Sequence, residues 1–421
     1  MKTDEVITRK SDFTPQDAEV LEKLKEIAAQ QGLDIDGGKV CRTSSRFCLG
    51  VEHGDYNGTE LFGVGTNRFI WQAFKPNNTN RYRFFSYNFP EDGIVEFESG
   101  KVPEPETVKD SSARFPYGVD YELRKAGFDT SKGYDAVQYS NIPGGGMSRS
   151  ASLTINLILC AAESNGFEID NPLDIIDIAV AVENEYIGSP CGELDQIMIL
   201  FAKEGMGTHY NPSDRSIRYV PLGPGGEDLR IIGLDTGTKR PGLEKSTYKI
   251  RRQECDTFSD MLSKEGWGIS KLADIRDEDT YNKVVEKYGR SHPDMCRRMK
   301  YIYKAQKRFY EMLAAWEKGD IAKVGEIFRR DGIGLRDEYS ISGPELETMC
   351  DIVRSVDGVL GERMLGGGDK GAAGALALSS AVEDLRRAVD TAYPRSRPDY
   401  VDKYTVHVCK AVTGVTILKT I

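Results

Sequence analysis

Apolar and polar positions along this chain follow two periods, and the changes of period mark the elements. Residues 16–31 (QDAEVLEKLKEIAAQQ) carry apolar side chains at helical spacing and run into Gly32, which predicts an amphipathic helix. Over 40–71 the pattern predicts short strands, interrupted by the turn signal Asp55-Tyr56-Asn57-Gly58. A strand is expected at 135–139, then a loop from Asn141 to Gly146, then a helix with Ser148 as N-cap and Asn165-Gly166 as its stop. The next helix has Asn171 as cap and Pro172 in its first turn, with Ile175, Ile176, Ala179, Val182 and Tyr186 along one stripe.

Pro221-Leu222-Gly223-Pro224-Gly225-Gly226 is the best linker signal, and a domain boundary is expected there, dividing the chain into 1–222 and 223–421. Helical patterns follow at 253–265, 294–317 and 320–330, then Gly366-Gly367-Gly368 and a strand at 373–378. A capping box of Ser380 and Glu383 should open another helix, with Val382, Leu385, Val389 and Ala392 inward and an end before Pro394. A final hairpin is expected to join 404–409 to 415–418 around Gly414. Helices and strands are mixed in both halves, so the expected class is α+β rather than a regular βαβ series.

Composition narrows the function. The 421 residues carry 56 basic against 66 acidic side chains, a net charge of −10, which excludes a broad nucleic-acid footprint. No apolar run approaches a membrane span, and MKTDEVITRKSDF lacks the apolar core of a signal peptide. Eight scattered cysteines without a CxxC pair read as reduced thiols in a cytoplasmic protein, and four distant histidines do not make a metal site.

Three loops carry candidate chemistry. Pro143-Gly144-Gly145-Gly146-Met147-Ser148-Arg149-Ser150-Ala151-Ser152 lies between a strand and a helix, where backbone amides, the helix start, hydroxyls and one guanidinium suit an anion. It matches neither GxxxxGK[ST] nor GxGxxG, and a plain tight turn is an equally good reading of the spacing alone. A second cluster, Arg363 through Gly366-Gly367-Gly368 to Gly371, reads by itself as a flexible loop. Glu52-His53-Gly54-Asp55-Tyr56-Asn57-Gly58 offers groups for a hydroxyl-rich ligand, or is simply a solvated turn. Asp195, after Cys191-Gly192-Glu193-Leu194, reads alone as a helix cap.

Taken in order, these pieces resemble the galactokinases of the GHMP kinase superfamily. The signature close to GRVNLIGEHTDYNGG is matched by Ser45-Arg46-Phe47-Cys48-Leu49-Gly50-Val51-Glu52-His53-Gly54-Asp55-Tyr56-Asn57-Gly58-Thr59. P-x-GGGLSSSAS is matched at 143–152, one residue shorter after the proline, and CGIMDQ by Cys191-Gly192-Glu193-Leu194-Asp195-Gln196. YPVRRRQCE resembles Tyr248-Lys249-Ile250-Arg251-Arg252-Gln253-Glu254-Cys255, LRDxYxVSxPEL resembles 335–346, and RMTGGGFGG resembles 363–371. Departures are Ser45 for glycine, Arg149 for a serine, and Asp369-Lys370 for Phe-Gly, all expected near nucleotide and phosphates.

The resemblance implies a two-domain GHMP kinase fold with the active site in the interdomain cleft, and transfer of the ATP γ-phosphoryl to the anomeric hydroxyl of a hexose. Asp195 matches the catalytic carboxylate and Arg46 the arginine facing it. Glu52, His53, Asp55, Gly192 and Tyr248 match sugar contacts. Gly144, Gly145, Gly146, Ser148, Arg149 and Ser150 would bind the nucleotide phosphates, with Phe115 and Tyr117 near adenine. Ser150 and Glu183 would hold Mg²⁺. The implied partner is a small sugar, with no nucleic acid or membrane, and the chain is expected to be a monomer or weak dimer. Galactose is the leading substrate; a uronic acid, an amino sugar, L-arabinose, or a silent sugar and ATP sensor of the same fold are the alternatives. The glutamate at Glu52 argues against a carboxylate-bearing sugar, since two close anions repel.

Overall fold

In a computed structural model, residues 1–108, 111–239 and 246–419 are described. The first half runs α1 (Thr3–Val6), β1 (Ile7–Lys10), α2 (Pro15–Gln31), β2 (Lys39–Gly50), β3 (Leu61–Pro76), β4 (Arg81–Ser86) and β5 (Ile94–Glu98). It continues with α3 (Arg114–Lys125), β6 (Tyr134–Ser140), α4 (Arg149–Asn165), α5 (Pro172–Ala181), α6 (Leu194–Leu200), β7 (Met206–Asn211) and β8 (Ser216–Pro221). Then come β9 (Leu229–Asp235), α7 (Thr247–Lys264), α8 (Glu278–Tyr288), α9 (Pro293–Lys318), α10 (Ile321–Gly334) and α11 (Pro344–Arg354). The chain closes with β10 (Val359–Met364), β11 (Ala372–Leu378), α12 (Val382–Ser396), β12 (Thr405–Cys409) and β13 (Val415–Leu418).

Two sheets organise these elements, giving the expected α+β class. The larger has the order β1-β13-β2-β3-β6-β4-β5, with β7 paired to β3 and β8 to β7; the smaller has the order β10-β11-β9-β12. The chain leaves the first sheet at Pro221 and enters the second at Leu229. Strand β2 is buried along nearly its whole length because helices cover both faces. On one side α2 sets Val20, Leu21, Leu24 and Ile27 against Phe69, Trp71 and Val137. On the other, α4 and α6 pack on β2 and β3. Helix α4 is apolar almost all round for the same reason: sheet, α3, α5 and α6 enclose it.

Several boundaries follow the sequence closely. Helix α2 ends with Gly32 in the left-handed conformation, and Asn171 caps α5 by accepting from Leu173 N. Other expectations fail for tertiary reasons. The strands around Asp55 are long, not short, because both faces of the sheet are covered. Ser148 stands at the N-cap position of α4 but at φ 63°, and makes no capping hydrogen bond. The Ser380–Glu383 capping box does not form; Ser379 bonds Asp228 instead. Helix α12 also runs through Pro394 to Ser396, burying Tyr393 where Ala392 was expected. The last two strands are not a hairpin. Residues between them are captured by the first sheet, through Lys410 N to Asn67 Oδ1 (2.9 Å) and Val412 N to Gly65 O (3.1 Å), so β12 pairs with β9 while β13 pairs with β1 and β2.

Candidate active site

A cavity of about 530 Å³ opens where the loops after β2 and β6, the start of α6, the start of α7 and the β10–β11 connection converge. It draws on residues from position 46 to position 367, which is why no single stretch of sequence looks like a site.

Arg46 is its fixed centre. It projects from the middle of β2, is 1% exposed, and donates through Nε and Nη2 to Asp195 Oδ1 at 2.8 and 2.7 Å. Its Nη1 reaches Glu52 Oε1 at 3.1 Å and Gly146 O at 3.3 Å. Burial works to lower this guanidinium's pKa, but the charges of Asp195 and Glu52 outweigh it and hold it above the ordinary arginine value. Asp195 lies in the first turn of α6 with its side chain 31% exposed, so one partner is fixed and the rest faces the cavity. Glu52 Oε1 also accepts from Gly366 N at 2.8 Å, tying the second glycine cluster to this centre.

Next to Asp195 stands a polar and aromatic wall. Asp55 begins a single 3-10 turn, and its Oδ2 accepts from Leu194 N at 3.3 Å. Burial, then the neighbouring charge of Asp195, pushes the Asp55 carboxyl up to about 6. A Cβ on Gly192 would fall 2.0 Å from Asp55 Oδ2, so only glycine permits this approach. His53 Nδ1 pairs with the Tyr56 hydroxyl at 2.8 Å, which in turn meets the Tyr339 hydroxyl at 2.7 Å. Tyr248 stacks at a tilt on His53, centroids 5.2 Å apart, and Arg252 lies over Tyr56 while donating to Cys191 O at 2.7 Å.

The phosphate-type loop lies against the late glycine cluster. A Cβ on Gly146 would meet Ala372 at 2.8–3.0 Å, and one on Gly145 would meet Gly371 Cα at 3.2 Å. The two loops are thus a packed pair, and Gly366, Gly367 and Gly368 are buried rather than a flexible loop. Ser148 Oγ is buried without a partner among the described residues, and Ser150 lies close enough to Glu183 for its hydroxyl to favour the ionised carboxylate. Glu183 also accepts from Gln196 Nε2 at 3.0 Å, and burial followed by the charge of Asp195 pushes its carboxyl up to about 7. Arg149 points back across the cavity, its guanidinium 5.0 Å from the Phe89 ring centre. Burial lowers its pKa, and the charge of Asp235 at the end of β9 opposes that.

Most of the residues singled out from sequence therefore meet in one cavity. Tyr117 does not. It stands edge-on to Phe97, 5.1 Å away, because two residues on a helix are about 200° apart and only Phe115 of the pair can face the cavity. Two of the three departures also lie outside the cavity wall. Ser45 Oγ meets Thr66 Oγ1 at 2.5 Å in the core, and Asp369 accepts from Thr247 N at 2.8 Å, fixing the start of the helix that carries Tyr248. Sequence reading missed Asn88, Phe89, Asp92, Arg114, Gln138 and Ile187. Strands β4 and β5 gave no expected elements, so the loop between them went unread; a glutamine between Val137 and Tyr139 was the available signal.

Among the described residues no three His, Cys, Asp or Glu side chains are grouped to cage a metal. One buried carboxylate beside one hydroxyl, Glu183 and Ser150, fits a hard cation that takes its other oxygens from phosphates and water.

Residues 115–203 match the family model described as the GHMP kinases N terminal domain. The chain is 30% identical over 348 residues to the galactokinase of Lacticaseibacillus casei (strain BL23), covering 81% of this chain and 86% of the relative. It is 28% identical over 391 residues to that of Bacillus subtilis (strain 168), covering 92% and 97%. The structure of Lactococcus lactis galactokinase complexed with galactose superposes with a TM-score of 0.85 at 25% identity, covering 94% of this chain and 99% of that one. The mevalonate kinase of Methanococcus jannaschii, at 15% identity and a TM-score of 0.60, shares the fold.

Proposed function

This chain belongs to the galactokinase family of GHMP kinases, and from that premise we propose that its cavity phosphorylates the anomeric hydroxyl of galactose. It is a phosphotransferase with an alcohol group as acceptor, and ATP is the family's phosphoryl donor. The observation that carries the reading is the Arg46–Asp195 pair: a carboxylate held by two hydrogen bonds on one oxygen, yet open to the cavity beside two interlocked glycine loops.

The chemistry follows from that arrangement. An anomeric hydroxyl is a weak nucleophile at neutral pH, so its proton passes to Asp195 as its oxygen forms a bond to the γ-phosphorus and the bond to ADP breaks. Arg46 offsets charge on the transferring group without moving, since its position is fixed by Asp195, Glu52 and Gly146 O. Glu52, His53, Asp55, Gly192 and Tyr248 orient the sugar. Gly144, Gly145, Gly146, Ser148, Arg149 and Ser150 hold the nucleotide, with Phe115 against the base. Mg²⁺ bound by Ser150 and Glu183 would neutralise phosphate oxygens. Residues 1–222 and 223–421 act as two lobes around the cleft, the returning strand β13 excepted. The chain acts as a monomer or weak dimer, and the eight buried free cysteines suit the cytoplasm. No helix among the described residues is long and apolar enough to cross a membrane.

A coupled ADP-release assay over a panel of sugars tests the reading. Turnover with galactose is expected. Preference for a uronic acid, an amino sugar or L-arabinose would move the substrate, and binding without ADP release would make the chain a sensor.

A further inference from the structure

At the end of the cavity away from Asp55, strand β6 contributes Gln138. Its side chain lines the cavity, the residue is 3% exposed, and Oε1 has no hydrogen-bond partner among the described residues. Its register neighbour across the parallel ladder is Ser86 of β4, equally buried, whose Oγ is also without a partner. The polar groups beside them are spent. Asn88 donates to Ser140 O at 3.0 Å and accepts from Ser140 N at 2.8 Å, and Ser140 Oγ accepts from Ile142 N at 3.1 Å. A buried amide oxygen left unpaired is costly, and the residue that carries it borders the cavity.

Phe89, Phe115, Leu153 and Ile187 supply apolar wall to that cavity, with Asn88, Asp92 and Arg114 among its polar lining. Apolar walls around an open carboxamide suit a ligand that is flat and apolar on its faces and polar along one edge. A carboxamide presents an acceptor and a donor side by side. We propose that Gln138 reads the nucleobase, pairing its carboxamide with the 6-amino group of adenine and the adjacent ring nitrogen, with Ser86 as a second polar group behind it. The same bidentate logic lets glutamine select adenine in other settings. This deepens the kinase reading and rests on it: Gln138 sets which nucleotide is used, not which sugar.

The test is calorimetric titration of the protein with ADP and with purine riboside 5′-diphosphate, which lacks the 6-amino group, both with Mg²⁺. Wild type should bind ADP about tenfold more tightly. In Gln138→Met, which nearly keeps shape but removes donor and acceptor, the preference should fall within about twofold. Without nucleotide the variant should melt at or above the wild-type temperature, because Gln138 Oε1 accepts no hydrogen bond from another described residue that could be lost. A structural role would lower it. Equal binding of the two nucleotides by wild type, or a full preference retained in Gln138→Met, would overturn the assignment. Calorimetry needs no turnover, so failure of the kinase reading would appear separately, as absent ADP release with galactose.

Discussion

The two ends of the cavity are built on opposite terms. At the sugar end the polar groups are already engaged with their neighbours: Arg46 with Asp195 and Glu52, Asp55 with Leu194 N, His53 with Tyr56, and Tyr56 with Tyr339. At the nucleotide end, Gln138 Oε1, Ser86 Oγ and Ser148 Oγ are buried without partners among the described residues. A site whose groups hold each other is organised before the ligand arrives, which favours catalysis. A site with open groups is completed by its ligand, which favours selection.

Four experiments press on this contrast. The largest effect is expected at the organised end. Asp195→Asn keeps the bond to Arg46 but removes the base, so turnover should fall by about 10²–10⁴ with sugar and ATP affinities within a few-fold. Arg46→Ala should also lower turnover, and the double variant should be little worse than the poorer single one, since residues acting as a unit are not additive. Near wild-type kcat in Asp195→Asn would leave the mechanism without its base; the aspartate is not a helix cap, since Glu193 holds that position in α6. At the open end, Arg149→Ser should raise the KM for ATP about ten- to a hundredfold, the worth of a charge-assisted hydrogen bond, and leave the KM for galactose alone. Equal shifts in both would erase the division between the ends.

The third experiment sharpens the sugar end. Glu52 is pinned by Arg46 and Gly366 N and is expected to accept from a sugar hydroxyl, so galacturonate should show kcat/KM lower by about 5- to 150-fold. Comparable rates with galactose and galacturonate would remove Glu52 from the sugar site. The fourth effect is the smallest and concerns stability. The Asp55 carboxyl, raised from 3.8 to about 6 by burial and by Asp195, binds its proton more tightly folded than unfolded. Its contribution to stability is therefore full below 3.8 and lost as pH rises through about 6. Replacing it with asparagine, which keeps the acceptor for Leu194 N, should raise the melting temperature by a few degrees at pH 7.5 and hardly at pH 4, read by differential scanning calorimetry. A gap that did not widen with pH would show that Asp55 carries no such penalty.

How much was legible in the sequence depends on how local each cause is. Helix α2 and the cap of α5 were readable because Gly32, Asn171 and Pro172 act within a turn of their own position. The strand-loop-helix placement of Gly144 to Ser150 was readable for the same reason. The hairpin expected at the end of the chain was not, because the partners of β13 lie near residues 7 and 40. Ser148 looked like a cap, yet the loop packed on Gly366 and Ala372 sets its conformation. Gln138 reads as a polar residue between Val137 and Tyr139; only the assembled walls from α3, α4 and the β4–β5 loop give it a purpose.

Strand β13 also bears on the order of events during synthesis. It lies between β1 and β2, so the first sheet cannot finish its row until residues 415–418 have left the ribosome. At about 5–20 residues per second, the edge of β2 waits roughly twenty seconds to over a minute after its own emergence. Throughout that interval a strand that ends up buried stands with unpaired amides and carbonyls, the kind of edge that recruits other chains. Slow codons late in the message, or chaperone depletion, should therefore act on yield through this one short strand.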